Sequence, residues 1–272
     1  MAGQMYCLPR APRLYSLRQV LAHPLARDLD LHLDDPETTG LHRKIIKSKP
    51  FLQRIYREWY GLLAESLPSG NGSVVELGSG AGFLTDFVAG VITSEVCFSP
   101  GVRVVLDGQF LPFREASLRG ITMVNVLHHV PDVRALFREA SRCLRSGGRV
   151  VMIEPWVSAW SRIIYTKLHH EPFEPDAQEW SLPAGGRLSA ANDALPWILF
   201  ERDRERWEAE FPDLSIKMVR PFMPFRYLVS GGVSMRSVMP GFAFPLWKVV
   251  ERGLGPLMQK LAMFALIVVE RR

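Results

Sequence analysis

The feature that most restricts the fold is a glycine-rich turn set directly behind an apolar run. Val74-Val75-Glu76-Leu77 has the β-branched, apolar character of a buried strand, and Gly78-Ser79-Gly80-Ala81-Gly82 follows without an intervening residue. The stretch from Phe83 to about Ala89 then reads as a helix. Strand, glycine turn and helix together open a nucleotide-binding βα unit, because glycines let a ligand approach backbone where a Cβ would collide with it. The dinucleotide fingerprint would need its third glycine at the position of Phe83. Here the glycines fall at every second position, and Glu76 stands two residues ahead of the first.

The alternation continues downstream. Val91 to Val96, Val102 to Leu106 and Gly120 to Leu127 read as strands. Val133, Leu136, Phe137, Ala140 and Leu144 fall on one helical face, with Asp132 as N-cap and Gly147-Gly148 as the stop. Arg149 to Glu154 is the next strand, a helix is expected near Leu199 to Glu210, and strands around Leu214 to Val219 and Met263 to Val269 close the chain. Upstream, Leu52, Ile55, Tyr56, Trp59, Leu62 and Leu63 recur at helical spacing behind Pro50, which suits a first turn. Strands alternating with helices imply a mostly parallel sheet covered on both faces.

Glu76-Leu77-Gly78-Ser79-Gly80-Ala81-Gly82 resembles motif I of the class I S-adenosylmethionine-dependent methyltransferases, and the later segments agree in order. Glu95, in Ile92-Thr93-Ser94-Glu95, matches the acidic residue that ends the second strand and binds the ribose hydroxyls in that family. Asp107-Gly108-Gln109-Phe110-Leu111-Pro112-Phe113 is similar to the adenine-side segment, and Asn125-Val126-Leu127-His128-His129-Val130 to the fourth-strand signature. Leu144-Arg145-Ser146-Gly147-Gly148-Arg149 resembles the turn before the fifth strand. The resemblance covers residues 74 to about 154 and lies nearest the small-molecule, type 11-like branch. It implies an α/β, Rossmann-like class I methyltransferase fold with a mostly parallel seven-stranded sheet and helices on both faces. It also implies S-adenosyl-L-methionine as cofactor, held by Glu76, Gly78, Ser79, Gly80, Gly82, Glu95, Asp107, Gly108, Gln109 and Asn125. Local explanations exist for three of these: Glu76 could brace the loop, Glu95 could be a solvated strand end, and Asp107 could form an Asx turn.

Methyl transfer is an in-line displacement at carbon, so the protein supplies mainly alignment and a dry pocket. His128 and His129 stand just past a strand's carboxyl end, where open α/β sheets place ligands, and are the candidate catalytic pair. Pleating points neighbours apart, so one of them is expected to face the acceptor, His128 before His129. His169-His170-Glu171-Pro172-Phe173-Glu174-Pro175-Asp176 holds imidazoles and carboxylates, but its spacing matches no compact ligand motif. The expectation is a lid that brings His169 or His170 to the acceptor, and no metal. Trp156, Trp160 and Tyr165 would wall it.

The chain divides into an N-terminal arm and helical cap, residues 1–70, and a methyltransferase domain, residues 71–272. Insertions at about 156–200 and 220–260 are expected to build the acceptor site. The second holds much apolar material, including Phe222, Phe225, Tyr227, Met239, Phe242, Leu246 and Trp247, and could pack on the sheet, line a hydrophobic acceptor pocket or touch a membrane surface.

The 33 Lys and Arg residues against 28 Asp and Glu are dispersed rather than clustered, which argues against a nucleic-acid partner. The three cysteines are far apart and suggest neither disulfides nor zinc. With no leader-like or membrane-spanning run, the expected compartment is the cytoplasm and the expected partner a small-molecule acceptor, with peripheral membrane contact as the only membrane association. Two rivals share the opening motif: a NAD-dependent oxidoreductase, for which the glycine spacing is wrong, and a non-catalytic cofactor-binding scaffold.

Overall fold

A computed structural model describes residues 23–24, 36–80, 82–169, 171–182 and 190–272. The first helices are α1 (Pro36–Ser48) and α2 (Pro50–Ser66), with Pro50 in the first turn of α2. The sheet comprises β1 (Ser73–Leu77), β2 (Ile92–Glu95), β3 (Val104–Val105), β4 (Leu118–Val124), β5 (Leu144–Pro155), β6 (Leu214–Phe222) and β7 (Phe264–Arg271). Its order is β3-β2-β1-β4-β5-β7-β6, parallel throughout except for β7, which runs antiparallel to both neighbours. Helices α3 (Val133–Cys143) and α4 (Ala159–Leu168) flank β5 in sequence.

Each central strand is apolar on both faces, and its side chains alternate between two cores as the period of two requires. Val75, Ile121, Met123, Val150, Met152, Ala265, Ile267 and Val269 pack on one side against Val133, Leu136, Phe137 and Ala140 of α3. Val74, Val151, Ile153, Leu266 and Val268 pack on the other against Phe51, Leu52, Ile55, Trp59 and Leu63 of α2. The Asp132 carboxylate caps α3 by accepting from the amides of Arg134 and Ala135, as the sequence indicates.

Two local readings are corrected. The segment after Gly82 carries only a single 3-10 turn, Leu84–Asp86, in place of the helix expected from Phe83 to Ala89. Gly90 lies at φ +71° and β2 begins at Ile92, so the crossover is too short for several helical turns and a return. The second correction concerns Gly147-Gly148, which does not end α3: the helix stops at Cys143 and β5 starts at Leu144. The glycine pair sits in an irregularity of the β4–β5 ladder, with Gly147 at φ +73°.

The region after β5 forms a helical run, Leu195–Trp197, Ile198–Arg202 and Arg204–Glu210, before β6. Between β6 and β7 lie α5 (Arg226–Ser230) and α6 (Phe244–Arg252). No helix among the described residues is long and apolar enough to cross a membrane. Residues 1–22, 25–35 and His170 lie outside the described residues, as does the expected N-terminal arm for the most part.

Phe137 is fully buried and meets Phe200, Trp207 and Phe211 at ring-centroid distances of 5.9, 5.3 and 5.6 Å. Phe137→Ala is expected to destabilise the fold by about 3–5 kcal/mol, because the ring couples α3 to the helical run before β6. Denaturant unfolding checks this; a loss below about 1 kcal/mol would mean that the cluster collapses around the gap.

Candidate active site

The carboxyl ends of β1, β2, β3, β4 and β5 converge on one cavity of about 400 Å³, at the point where successive crossovers leave the sheet in opposite directions. Its lining includes Gly78, Ser79, Gly80 and Gly82 behind β1, Glu95 at the end of β2, Asp107, Gly108 and Gln109 behind β3, and Asn125 behind β4. The structure therefore brings together all the expected cofactor residues but Glu76.

The turn is built from backbone. Gly78 and Gly80 have φ of +61° and +46°, a left-handed conformation that side chains disfavour. The Ser79 amide donates to the carbonyl of Ser94, joining the turn to β2, and the Ser79 hydroxyl donates to the carbonyl of Glu76. A Cβ on Gly82 would strike the hydroxyl of Tyr60, so this third glycine makes room for α2. Arg43 of α1 donates to the carbonyl of Gly80 at 3.1 Å, which ties the preceding helix to the same turn.

Three polar side chains along this wall suit a nucleoside with a vicinal diol. Glu95 accepts from the Gly80 amide at 2.5 Å through one oxygen. Burial pushes its pKa up, and the hydrogen bonds from the amides of Gly80 and Val96 oppose that shift. Asp107 accepts from the amide and the side-chain nitrogen of Gln109 at 2.9 Å each, the Asx arrangement weighed above, while its carboxylate still lines the cavity. Asn125 is a non-glycine residue at φ +54°, and its side-chain oxygen is buried without a hydrogen-bond partner. A strained residue holding an orphaned acceptor in a cavity is what a ligand amine or hydroxyl would satisfy. These groups, beside a turn whose left-handed glycines leave backbone facing the cavity, fit S-adenosylmethionine.

Glu76 lies behind the turn instead. It is 3% exposed, and burial, reinforced by Glu95, raises its pKa to about 8 against the lowering effect of Ser79. Its backbone carbonyl accepts from the hydroxyls of Ser79 and Ser94, which ties the turn to β2, and its side chain does not line the cavity.

The opposite wall carries histidines and carboxylates. His128 and His129 follow β4 in a 3-10 turn, Leu127–His129, with ring centroids 4.2 Å apart, and both line the cavity rather than one alone. The His128 Nδ1 is 2.7 Å from Glu154, whose other oxygen accepts from the amides of Val126 and Leu127 at 2.8 and 2.9 Å. Its Nε2 faces Glu171 at 3.4 Å and Asp193 at 3.6 Å. The His129 Nδ1 is 3.2 Å from the carbonyl of Ala190, leaving Nε2 directed to Glu171 at 3.9 Å. The His169 Nδ1 is 2.9 Å from Asp193.

Burial would lower the pKa of His128, but hydrogen bonding to Glu154 and Glu171 and the charges of Glu154 and Asp193 raise it to about 10. Burial and the neighbouring His128 charge lower His129 to about 4. Burial also works to raise the pKa of Glu171, yet the surrounding imidazoles hold it well below the carboxylate range.

Glu154 and Asp193 were not singled out from sequence. Glu154 is signalled by a charge inside an otherwise apolar strand, Val150-Val151-Met152-Ile153-Glu154, whereas Asp193 sits in a loop with no distinguishing pattern. His169 and Glu171 do come from the expected lid. The rest of the cavity is apolar: Ile46 of α1, Tyr56 and Tyr60 of α2, Ile164 and Tyr165 of α4, and Tyr227, Leu228 and Met235 from the insertion after β6.

A family model described as a methyltransferase domain matches residues 75–152. A geranyl diphosphate C-methyltransferase from Streptomyces coelicolor A3(2), solved with Mg2+, geranyl diphosphate and S-adenosyl-L-homocysteine, superposes with a TM-score of 0.51. It is 16% identical, over 93% of this chain and 89% of that one. A geranyl diphosphate methyltransferase solved with SAM gives 0.51 at 17% identity, over 88% and 93% of the two chains. Likeness at such identity establishes the fold. No curated protein matches the sequence.

The buried Glu76 generates a pH prediction. Its folded pKa near 8 exceeds the unfolded value, so the neutral side chain favours folding at low pH, and that contribution disappears as pH rises from about 4.5 through 8. Glu76→Gln is therefore expected to match the parent in melting temperature at pH 5 and to exceed it by several degrees at pH 8.5. An equal offset at both pH values would show that the carboxyl does not titrate in that window.

Proposed function

We propose that this chain, a class I S-adenosylmethionine-dependent methyltransferase, methylates a small organic acceptor with an apolar body and a polar reactive end. The observation that carries the acceptor reading is the division of a single cavity into two unlike walls. One wall is glycine backbone with Glu95, Asp107 and Asn125; the other is His128, His129, His169, Glu171 and Asp193 set among aromatic and aliphatic side chains. A cofactor spread along the first wall leaves the remaining space to an acceptor of modest size.

In this reading Glu95 takes the ribose hydroxyls, Asp107 with Gly108 and Gln109 takes the adenine side, and Asn125 offers its free oxygen to the cofactor. The protein's contribution to rate is mainly alignment and exclusion of water from the displacement. His128 has a carboxylate at each ring nitrogen and is 2% exposed, so it acts as a positioning residue. His129, whose Nε2 is turned from the backbone contact at Ala190 toward the cavity, is the ring that meets the acceptor.

The pocket's charge narrows the acceptor class. No Lys or Arg is among the described lining residues, while Glu95, Asp107, Glu171 and Asp193 are. The positive charge of His128 is already met by Glu154, Glu171 and Asp193, so an anionic acceptor would face a net acidic lining and a neutral hydroxyl, carbonyl or amine group is favoured at the reactive end. The tyrosines and aliphatic side chains around it favour a hydrophobic remainder.

Calorimetry with S-adenosyl-L-homocysteine tests the cofactor half, and turnover on a panel of neutral hydroxylated and aminated apolar compounds tests the acceptor half. Glu95→Ala is expected to weaken binding of the homocysteine compound by about 10–100-fold, or about 1.4–2.8 kcal/mol, since one charged acceptor on the diol is lost. Absence of binding by the unmodified protein at millimolar ligand would sink the reading.

A further inference from the structure

We propose that His128, His129, Glu171 and Asp193, with His169 beside them, form a binding site for a divalent first-row transition-metal ion at the acceptor end of the cavity. What the ion does in turnover rests on the methyl-transfer reading above; that it binds does not.

The separations carry the argument. His128 Nε2 is 3.4 Å from Glu171 and 3.6 Å from Asp193, and His129 Nε2 is 3.9 Å from Glu171. These exceed the ordinary N–H to oxygen hydrogen-bond range of roughly 2.7–3.2 Å. The two His128 separations suit donors sharing one ion, since at metal–ligand distances of about 2.0–2.2 Å neighbouring ligands in tetrahedral or octahedral sites lie roughly 2.8–3.6 Å apart, and that to His129 exceeds this by a few tenths of an ångström. In both overlapping sets, His128 with His129 and Glu171, and His169 with Glu171 and Asp193, the ligand atoms lie within 4.8 Å of one another. Glu171 belongs to both sets, so the two groups meet at that carboxylate.

The tautomers are already arranged. Glu154 takes His128 Nδ1 and the Ala190 carbonyl takes that of His129, which turns both Nε2 atoms to the cluster, where a metal ion would replace the proton on His128 Nε2. Such outer partners are what orient metal-binding imidazoles. His169 Nδ1 lies 2.9 Å from Asp193 and 3.3 Å from the Glu171 amide, which sets a third imidazole beside the same carboxylates.

Asp193 supplies an independent observation. Its side chain is 0% exposed, and the groups that face its two oxygens are imidazole nitrogens, His169 Nδ1 at 2.9 Å and His128 Nε2 at 3.6 Å, with no backbone amide donating to either. A buried carboxylate in that state is costly unless a cation completes it. It is also held firmly in place: the Asp193 amide donates to the Pro172 carbonyl and the Asn192 amide to that of His128. Asn192 further bonds both backbone groups of Glu174, closing the two loops around the imidazoles.

Mixed imidazole and carboxylate donors select zinc, iron, cobalt or manganese over calcium and magnesium, which prefer oxygen alone. All five residues line the cavity, so a coordination position remains open to an acceptor oxygen or nitrogen. A metal there would provide the cation that the rest of the lining lacks.

The test uses chelator-treated full-length protein titrated with Co2+, read by visible absorption and equilibrium dialysis, with homocysteine-compound calorimetry in parallel. We expect one equivalent of Co2+ per chain. In Asp193→Asn and in Glu171→Gln the affinity should fall at least about tenfold, while S-adenosyl-L-homocysteine binds within about twofold of the parent. Should Asp193→Asn fail to fold, Glu171→Gln, whose side chain is 15% exposed, carries the same expectation. A parent protein that takes up no Co2+, or variants that bind it as tightly as the parent, would overturn the site. Co2+ uptake without homocysteine-compound binding would uphold the site and reject the methyl-transfer reading instead.

Discussion

One carboxylate with no access to water, Glu154, fixes the relation between the sheet and the polar end of the cavity. Its two oxygens take the amides of Val126 and Leu127 and the ring of His128, so the chain leaving β4 is pinned to the last turn of β5. A buried charge of this kind gains little net stability, because desolvation offsets the attraction. What it does give is geometry: the three donors leave the carboxylate one position, and that position sets the tautomer and plane of His128. Removing it would strand two amides and an imidazole away from solvent, which is why the arrangement is all or nothing.

The insertion after β6 is joined to the same body by a second buried ionic group. Arg226 is 4% exposed and donates to Glu251 at 2.5 Å and to Glu58 at 2.9 and 3.0 Å, linking α5 to α6 and to α2. Glu251 also accepts from the amides of Phe225 and Arg226, and Trp59 stacks on Tyr227 at 5.6 Å. The segment that carries Tyr227, Leu228 and Met235 into the cavity is therefore anchored on the helix behind the sheet. Much apolar surface of this insertion stays outside: Phe242 is 83% and Leu246 66% exposed.

The glycine side of the cavity was legible because it is made of backbone. A left-handed turn between strand and helix admits few residues, so Gly78 and Gly80 announce it, and Glu95, Asp107 and Asn125 are found by counting strand ends from there. Glu76 marks the limit of that logic, since a carboxylate ahead of a glycine turn looks alike in sequence whether or not it lines the cavity, and here it does not. Local pattern also overextended the helix after Gly82, where the distance to β2 and not the propensity of Phe83 to Ala89 decides the length. Gly147-Gly148 was read as a helix stop because that pair serves equally well as a bulge inside a strand.

The histidine and carboxylate side of the cavity hides from sequence for the opposite reason: it consists of side chains from segments far apart, brought together by tertiary packing. Glu154, Glu171 and Asp193 come from β5 and from two loops that meet around His128, with sequence separations of 26, 43 and 65 residues from that histidine. No spacing rule connects them. Because these loops cross the open end of the sheet without entering it, they can hold an unusual concentration of charge while the strands beneath keep their two apolar faces. The division is a physical one: the sheet's register fixes the glycine side of the cavity, and the loops, tied to that register through Glu154 and the hydrogen bonds of Asn192 and Asp193 among others, set the charge across from it.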